Sequence, residues 1–137
     1  MPANECRARF AAARVLRLAT VDAEGHPHLV PATFALDGDV VVIAVDHKPK
    51  RHTNLKRLAN IRANPAVTLL VDHYDDDWEQ LWWVRADGTA SVLESELAQE
   101  LVDRLANKYG QYLDRRPDGP VIKIRVTRWS GWMARQE

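Results

Sequence analysis

The strongest hydrophobic signal is VVVIAV (Val40–Val45), an unbroken apolar run that predicts a central strand buried on both faces. VIKIRVTRW (Val121–Trp129) instead alternates apolar and polar residues, as a strand with one buried face does. Between and before these, VLRLATVD (Val15–Asp22) reads as a strand closed by a turn over Ala23–Pro27, and HLVPATFAL (His28–Leu36) resumes as the next. Pro31 cannot donate to a ladder, so this second strand carries a bulge or lies at an edge. Asp37-Gly38-Asp39 is a hairpin signal. AVTLLVD (Ala66–Asp72) and a long, bent LWWVRADGTASVL (Leu81–Leu93) complete six strands. Helices are predicted over Ala3–Arg14, from its Ala/Arg/Glu content, and over Thr53–Ala63, which Pro65 terminates. In the latter, Leu55, Leu58 and Ile61 form the apolar side, while Thr53, Arg57 and Asn60 share another face. A third helix is expected from an N-cap at Ser95 to about Tyr112, with Leu97, Leu101, Leu105 and Tyr109 at four-residue steps. Six strands joined mostly by hairpins, with short helices between them, predict a mainly β antiparallel barrel or half-barrel.

The 137 residues suit one domain with a single core, spanning 1–137. With 19 basic and 19 acidic residues the chain is neutral, which excludes a general polyanion binder. Cys6 is the single cysteine and no Cys/His spacing resembles a zinc site, so no metal is expected. The Arg-containing N-terminus has no long apolar run, reads as a short helix rather than a signal or a span, and leads to the expectation of a soluble cytoplasmic protein without membrane contact.

Charge is distributed unevenly despite the neutral total. His47 to Val71 holds six Lys/Arg and no acid, with Lys50, Arg51, Lys56 and Arg57 inside eight residues. A cationic turn and helix beside a sheet suits an anion, most economically a phosphate. These cations are confined to about a turn and a half of helix and lack interleaved aromatics, which argues against nucleic acid. No catalytic triad or carboxylate pair is evident. Asp75-Asp76-Asp77 reads as a solvated turn, and His26, His28, His47, His52 and His73 as surface or structural residues. Trp82 and Trp83 must point to opposite faces of one strand: one packs inside, the other faces an interface or a ligand cleft. Trp78 and Trp129 are expected in core or interface, where aromatics dominate contacts.

One ordered set of motifs extends over nearly the whole chain. It comprises Leu18-Ala19-Thr20, Asp22, Gly25, Pro27-His28, Val30-Pro31, Phe34 and Asp37-Gly38-Asp39. Asn64-Pro65, Val67, Leu69–Asp72, Ile124, Val126, Arg128 and Gly131-Trp132 follow. In this order the chain resembles the pyridoxamine 5′-phosphate oxidase-like, FMN-binding split β-barrel family. KPKR, DDDW and LWWVRADG look most similar to its actinobacterial branch of deazaflavin (coenzyme F420)-dependent oxidoreductases. The resemblance implies a six-stranded split barrel of the flavin-reductase type, acting as a homodimer with cofactor sites at the subunit interface and a small conjugated or planar substrate. It places the phosphate-gripping Arg-Lys pair on Lys56 and Arg57, with Asn60 one turn on and Lys50 and Arg51 in a longer preceding turn. It also sets Thr33 beside the cofactor ring and matches Trp132 to a C-terminal tryptophan near that ring. The family's substrate-binding Arg-x-His segment has no counterpart in WMARQE, which speaks against vitamin B6 oxidation. Coenzyme F420 is thus the leading cofactor and FMN the alternative. A cofactor or haem carrier, or a sensor without turnover, is the reading from another class.

Overall fold

The computed structural model describes residues 1–45 and 51–135, the side chains of 51–55 and 95 excepted. All six predicted strands form. The second is interrupted at Thr33-Phe34, so the sheet has seven strands: β1 (Leu16–Val21), β2 (Pro27–Ala32), β3 (Ala35–Asp37), β4 (Val40–Ala44), β5 (Ala66–His73), β6 (Trp82–Leu93) and β7 (Val121–Met133). The helices are α1 (Ala3–Ala12), α2 (Arg51–Ala63), α3 (Gln99–Lys108) and the single turn α4 (Gln111–Asp114). Every pairing is antiparallel, in the order β2-β1-β5-β6-β7-β4-β3. Pro31 therefore sits on an edge strand, where its missing N–H costs no ladder bond.

β6 and β7 pair along their full lengths and carry the curl of the sheet. Their register slips by one at Asp87/Gly88, so that Arg128 opposes Asp87 while Val126 opposes Gly88. Thr127 is the extra residue, and its hydroxyl donates to the Asp87 carbonyl (3.1 Å). The bulge shifts the inward phase of β7: Val126 and then Trp129 pack on the core. Gly88 is required there, because a Cβ would run into the carbonyl oxygen of Arg125.

The concave face of the sheet closes on one core, containing Leu16, Leu18, Val41, Ile43, Leu69, Val84, Ile122 and Ile124. α1 seats Cys6 and Phe10 in it, with Phe10 edge-on to Phe34 (4.9 Å) and Trp129 (5.2 Å). α2 closes it with Leu58 and Ile61. β4 is buried on both faces as its run predicts: Val42 and Ala44 belong to a second cluster with Val121 and α3. The α3 stripe differs from the expected one. Ala98, Val102, Leu105 and Tyr109 face inward, whereas Leu97 is exposed. A 3-10 turn at Ser95–Leu97 precedes the helix, whose N-cap is Ala98 rather than Ser95, so the first two inward positions move to Ala98 and Val102 while Leu105 and Tyr109 face inward as expected.

Candidate functional site

α2 places the basic residues asymmetrically. Lys56 and Arg62 are exposed, while Arg57 and Asn60 lie on the same buried side as Leu58 and Ile61. The polar stripe of the helix is thus turned toward the sheet beside the apolar one. Asn60 Nδ2 donates to Thr20 Oγ1 (3.1 Å), both residues being almost fully buried. A buried amide with a matched partner ties α2 to β1 and fixes which side of the helix faces out. Thr20 opposes His28 across the β1–β2 ladder, and His28 Nδ1 is buried with no hydrogen-bond partner among the described residues. Arg57, Asn60, Thr20 and His28 therefore form a polar end to an otherwise apolar interior. Lys50 and the side chain of Arg51 lie outside the described residues, although Arg51 begins α2.

Thr33 lies at the break between β2 and β3, and a tyrosine clamp holds that corner. Thr33 Oγ1 shares a hydrogen bond with Tyr112 Oη (2.9 Å), and the Phe34 amide donates to Tyr109 Oη (3.2 Å). Tyr109 Oη in turn donates to the Arg14 carbonyl (2.9 Å), and burial raises its pKa. Lys108 Nζ donates to the Ala13 carbonyl (2.7 Å) and sits 3.7 Å from the centroid of the Phe34 ring. Burial first, and the charge of Arg14 second, push the Lys108 pKa down to about 8. Ala32, next to this corner, opposes Leu16, whereas the polar cluster under α2 lies at Thr20. At the rise of an extended strand, the two places are about 13 Å apart along β1.

The convex side of the sheet has a third feature. Arg17, Ala19, Leu29, Thr68, Leu70, Asp72, Trp83 and Arg85 line a shallow concavity of about 530 Å³. Leu29 is 68% exposed, and Trp132 opposes Trp83 across the β6–β7 ladder at 42% exposure. Polar contacts within this face are Thr68 Oγ1 to Asp87 Oδ1 (2.9 Å) and the Arg85 guanidinium near Asp87 (3.6 Å) and over the Trp83 ring (5.7 Å). Trp82 turns to the other side and packs against the core. The adjacent tryptophans thus point to opposite faces of the sheet, as strand periodicity requires.

The sequence-selected residues thus fall into three places: Lys56, Arg57 and Asn60 on α2, Thr33 at the clamped corner, and Trp132 on the convex face. Within the described chain they do not converge into one pocket. Sequence reasoning assigns no site role to Thr20, Tyr109 or Tyr112, because contacts across 40 or more residues leave no local signal, and it reads His28 as a surface or structural residue. Trp129 is core-packed as expected, but Trp78 is 68% exposed. It belongs to a 3-10 turn (Trp78–Gln80) capped by Asp77, whose carboxylate accepts from the Glu79 amide (3.1 Å). Asp75 similarly accepts from the Asp77 amide (2.8 Å), so this acidic run is a hydrogen-bonded turn. Among the described residues, no three His, Cys, Asp or Glu side chains come together to hold a metal, and no helix is long and apolar enough to cross a membrane.

Comparison with known proteins identifies the fold. Haem oxygenase HutZ of Vibrio cholerae is 26% identical over 106 residues, which cover 74% of this chain and 57% of HutZ. The chain thus spans well under two thirds of that curated relative. The crystal structure of HutZ, described as a haem storage protein, superposes with a TM-score of 0.70 at 22% identity, covering 96% of this chain and 93% of that one. An FAD-binding protein from Mesorhizobium loti superposes at 0.74 and 23% identity, covering 96% and 94%. The FAD-binding protein from Mycobacterium smegmatis does so at 0.68 and 18%, covering 96% of both chains. These likenesses establish a split barrel shared by flavin-binding and haem-binding proteins. Residues 3–133 match the pyridoxamine 5′-phosphate oxidase family, and the chain belongs to it.

Proposed function

We propose that this chain is a homodimeric oxidoreductase that uses coenzyme F420 to transfer a hydride to or from a small conjugated, planar substrate. The observation that carries the reading is the pairing of exposed Lys56 with buried Arg57 on a helix whose sequence holds no acid. A cation held in a closed wall next to one in solvent suits an anionic group that enters from outside and is drawn toward the sheet. Lys50 and Arg51 extend the basic path along the chain, and a longer path suits the phosphodiester and carboxylated tail of F420 better than the single phosphate of FMN, the alternative cofactor. Thr33 and Trp132 are assigned to the ring. The convex face around Leu29, Leu70, Trp83 and Trp132 is assigned to the second subunit, since the described elements leave it uncovered and its centre is apolar.

The bound cofactor would supply the two-electron chemistry; the protein binds it, orients it and excludes water. This division of labour fits a site that offers cations, hydroxyls and tryptophans rather than an acid–base pair. The likeness to HutZ favours a second reading, haem binding on the same scaffold. One set of titrations, following tryptophan fluorescence with F420, FMN and hemin in turn, separates the three. The proposal expects saturable micromolar binding of F420 with FMN much weaker, followed by reoxidation of reduced F420 by an enone or quinone. Preference for FMN moves the assignment to the flavin branch. Binding of hemin alone, with a shifted Soret band, replaces the redox reading by a haem one.

A further inference from the structure

Two cations meet at the corner between β2 and β3 without an acid to balance them. Lys108 ends α3, and Arg14 lies in the connection from α1 to β1. Both lie against the Tyr109 ring, Lys108 Nζ at 5.3 Å and the Arg14 guanidinium carbon at 4.7 Å from its centroid. Among the described residues no carboxylate pairs with either of them. Lys108 Nζ finds instead the Ala13 carbonyl (2.7 Å) and the face of the Phe34 ring (3.7 Å).

Such surroundings work against the ammonium form and toward the free amine. Burial and the like charge of Arg14 act in the same direction, which is why the Lys108 pKa falls to about 8. A lysine that is partly desolvated beside a second cation is an activated nucleophile, whereas an ordinary lysine stays protonated to about pH 10. Lys108 is only half-buried and Arg14 is exposed, so the corner is open on one side. A phenyl face below the amine and a guanidinium beside it suit an electrophile that arrives small and uncharged and becomes anionic on reaction. Carbon dioxide has those properties.

We propose that Lys108 is a carboxylation site, at which its free amine adds carbon dioxide to form an Nζ-carbamate that Arg14 holds by charge. The nitrogen lone pair forms the new N–C bond, one C=O electron pair moves onto oxygen, and one amine proton leaves to solvent. No oxidant or second reactant enters. The carbamate nitrogen keeps one N–H, enough to preserve the bond to the Ala13 carbonyl. Two neighbouring positive charges thereby become an ion pair, at the corner that also carries Thr33. The site uses none of the α2 cations and stands whether or not the cofactor assignment does.

The test is made on native full-length protein equilibrated with ¹³C-bicarbonate at about pH 8, where dissolved carbon dioxide is also present. Carbamates are trapped by ethylation with triethyloxonium and located by peptide mass spectrometry. At that pH about half of Lys108 is free amine, against under about 1% of an ordinary lysine. Lys108 is therefore expected to carry at least about tenfold more trapped label than exposed Lys56. Arg14→Gln should lower the Lys108 label about tenfold, the loss expected for one charge-assisted contact, while circular dichroism shows the fold retained. Arg14→Lys should restore most of it, which a general loosening of the corner would not allow. No label on Lys108, label no greater than on Lys56, or label unchanged in Arg14→Gln would each overturn the assignment.

Discussion

The two faces of β6 carry neighbouring tryptophans into opposite surroundings. On the concave side α1 and α2 cover the sheet, and Trp82 packs at the margin of a closed apolar core. On the convex side no described element covers it, and Trp83 lies in an open concavity with Leu70 and Arg85. Residue type is the same and sequence distance is one, so the difference comes from strand periodicity and from what the rest of the chain places over each face. One face holds the fold together; the described elements leave the other open. Substitutions should separate along the same line.

The largest effect is expected inside. Phe34→Ala removes a fully buried ring that touches Phe10 and Lys108, and should lower unfolding free energy by about 3–5 kcal/mol in a denaturant titration. Asn60→Ala comes next. It strips the partner from the buried Thr20 hydroxyl and should cost about 1–3 kcal/mol whether or not cofactor is present. A loss seen only in cofactor affinity would make Asn60 a ligand residue instead. On the convex face, Leu29→Lys with Leu70→Asp should change stability of the isolated subunit by less than about 1 kcal/mol. The same pair should convert a dimer to monomers in sedimentation velocity; a dimer that survives would move the subunit interface elsewhere.

A smaller effect tests the clamped corner. Folding lowers the Lys108 pKa from 10.5 to about 8, so between those values the unfolded chain holds a proton that the folded chain has released. Stability from this group therefore rises with pH across that window and is flat below it. Native protein should gain melting temperature relative to Lys108→Met as pH is raised from 8 to 10.5. The opposite trend would show that the contacts to Ala13 and Phe34 outweigh burial and hold the ammonium charged.

Much of the architecture was legible because it rests on local periodicity. Val40–Val45 announces a doubly buried strand, and Pro31 announces a bulge or an edge, of which the fold realises the edge. The break at Thr33-Phe34 was not legible, since it depends on Tyr109 and Tyr112 arriving from a helix more than 70 residues away. The Ser95 cap failed because a 3-10 turn intervened and moved the inward stripe from Leu97 to Ala98. The candidate site was legible in part. A basic run with no acid in the same stretch of sequence marks α2, but that Arg57 and Asn60 are buried while Lys56 is exposed is revealed only by the fold.

The central claim is that α2 holds an anionic redox cofactor. Isothermal titration of coenzyme F420 into native protein and into Lys56→Ala tests it most directly, because Lys56 is exposed and its loss leaves the core intact. The account predicts micromolar binding that weakens about tenfold in the variant, the loss expected for one charge-assisted bond to phosphate. Equal affinity in the two proteins, or no binding in either, would contradict it.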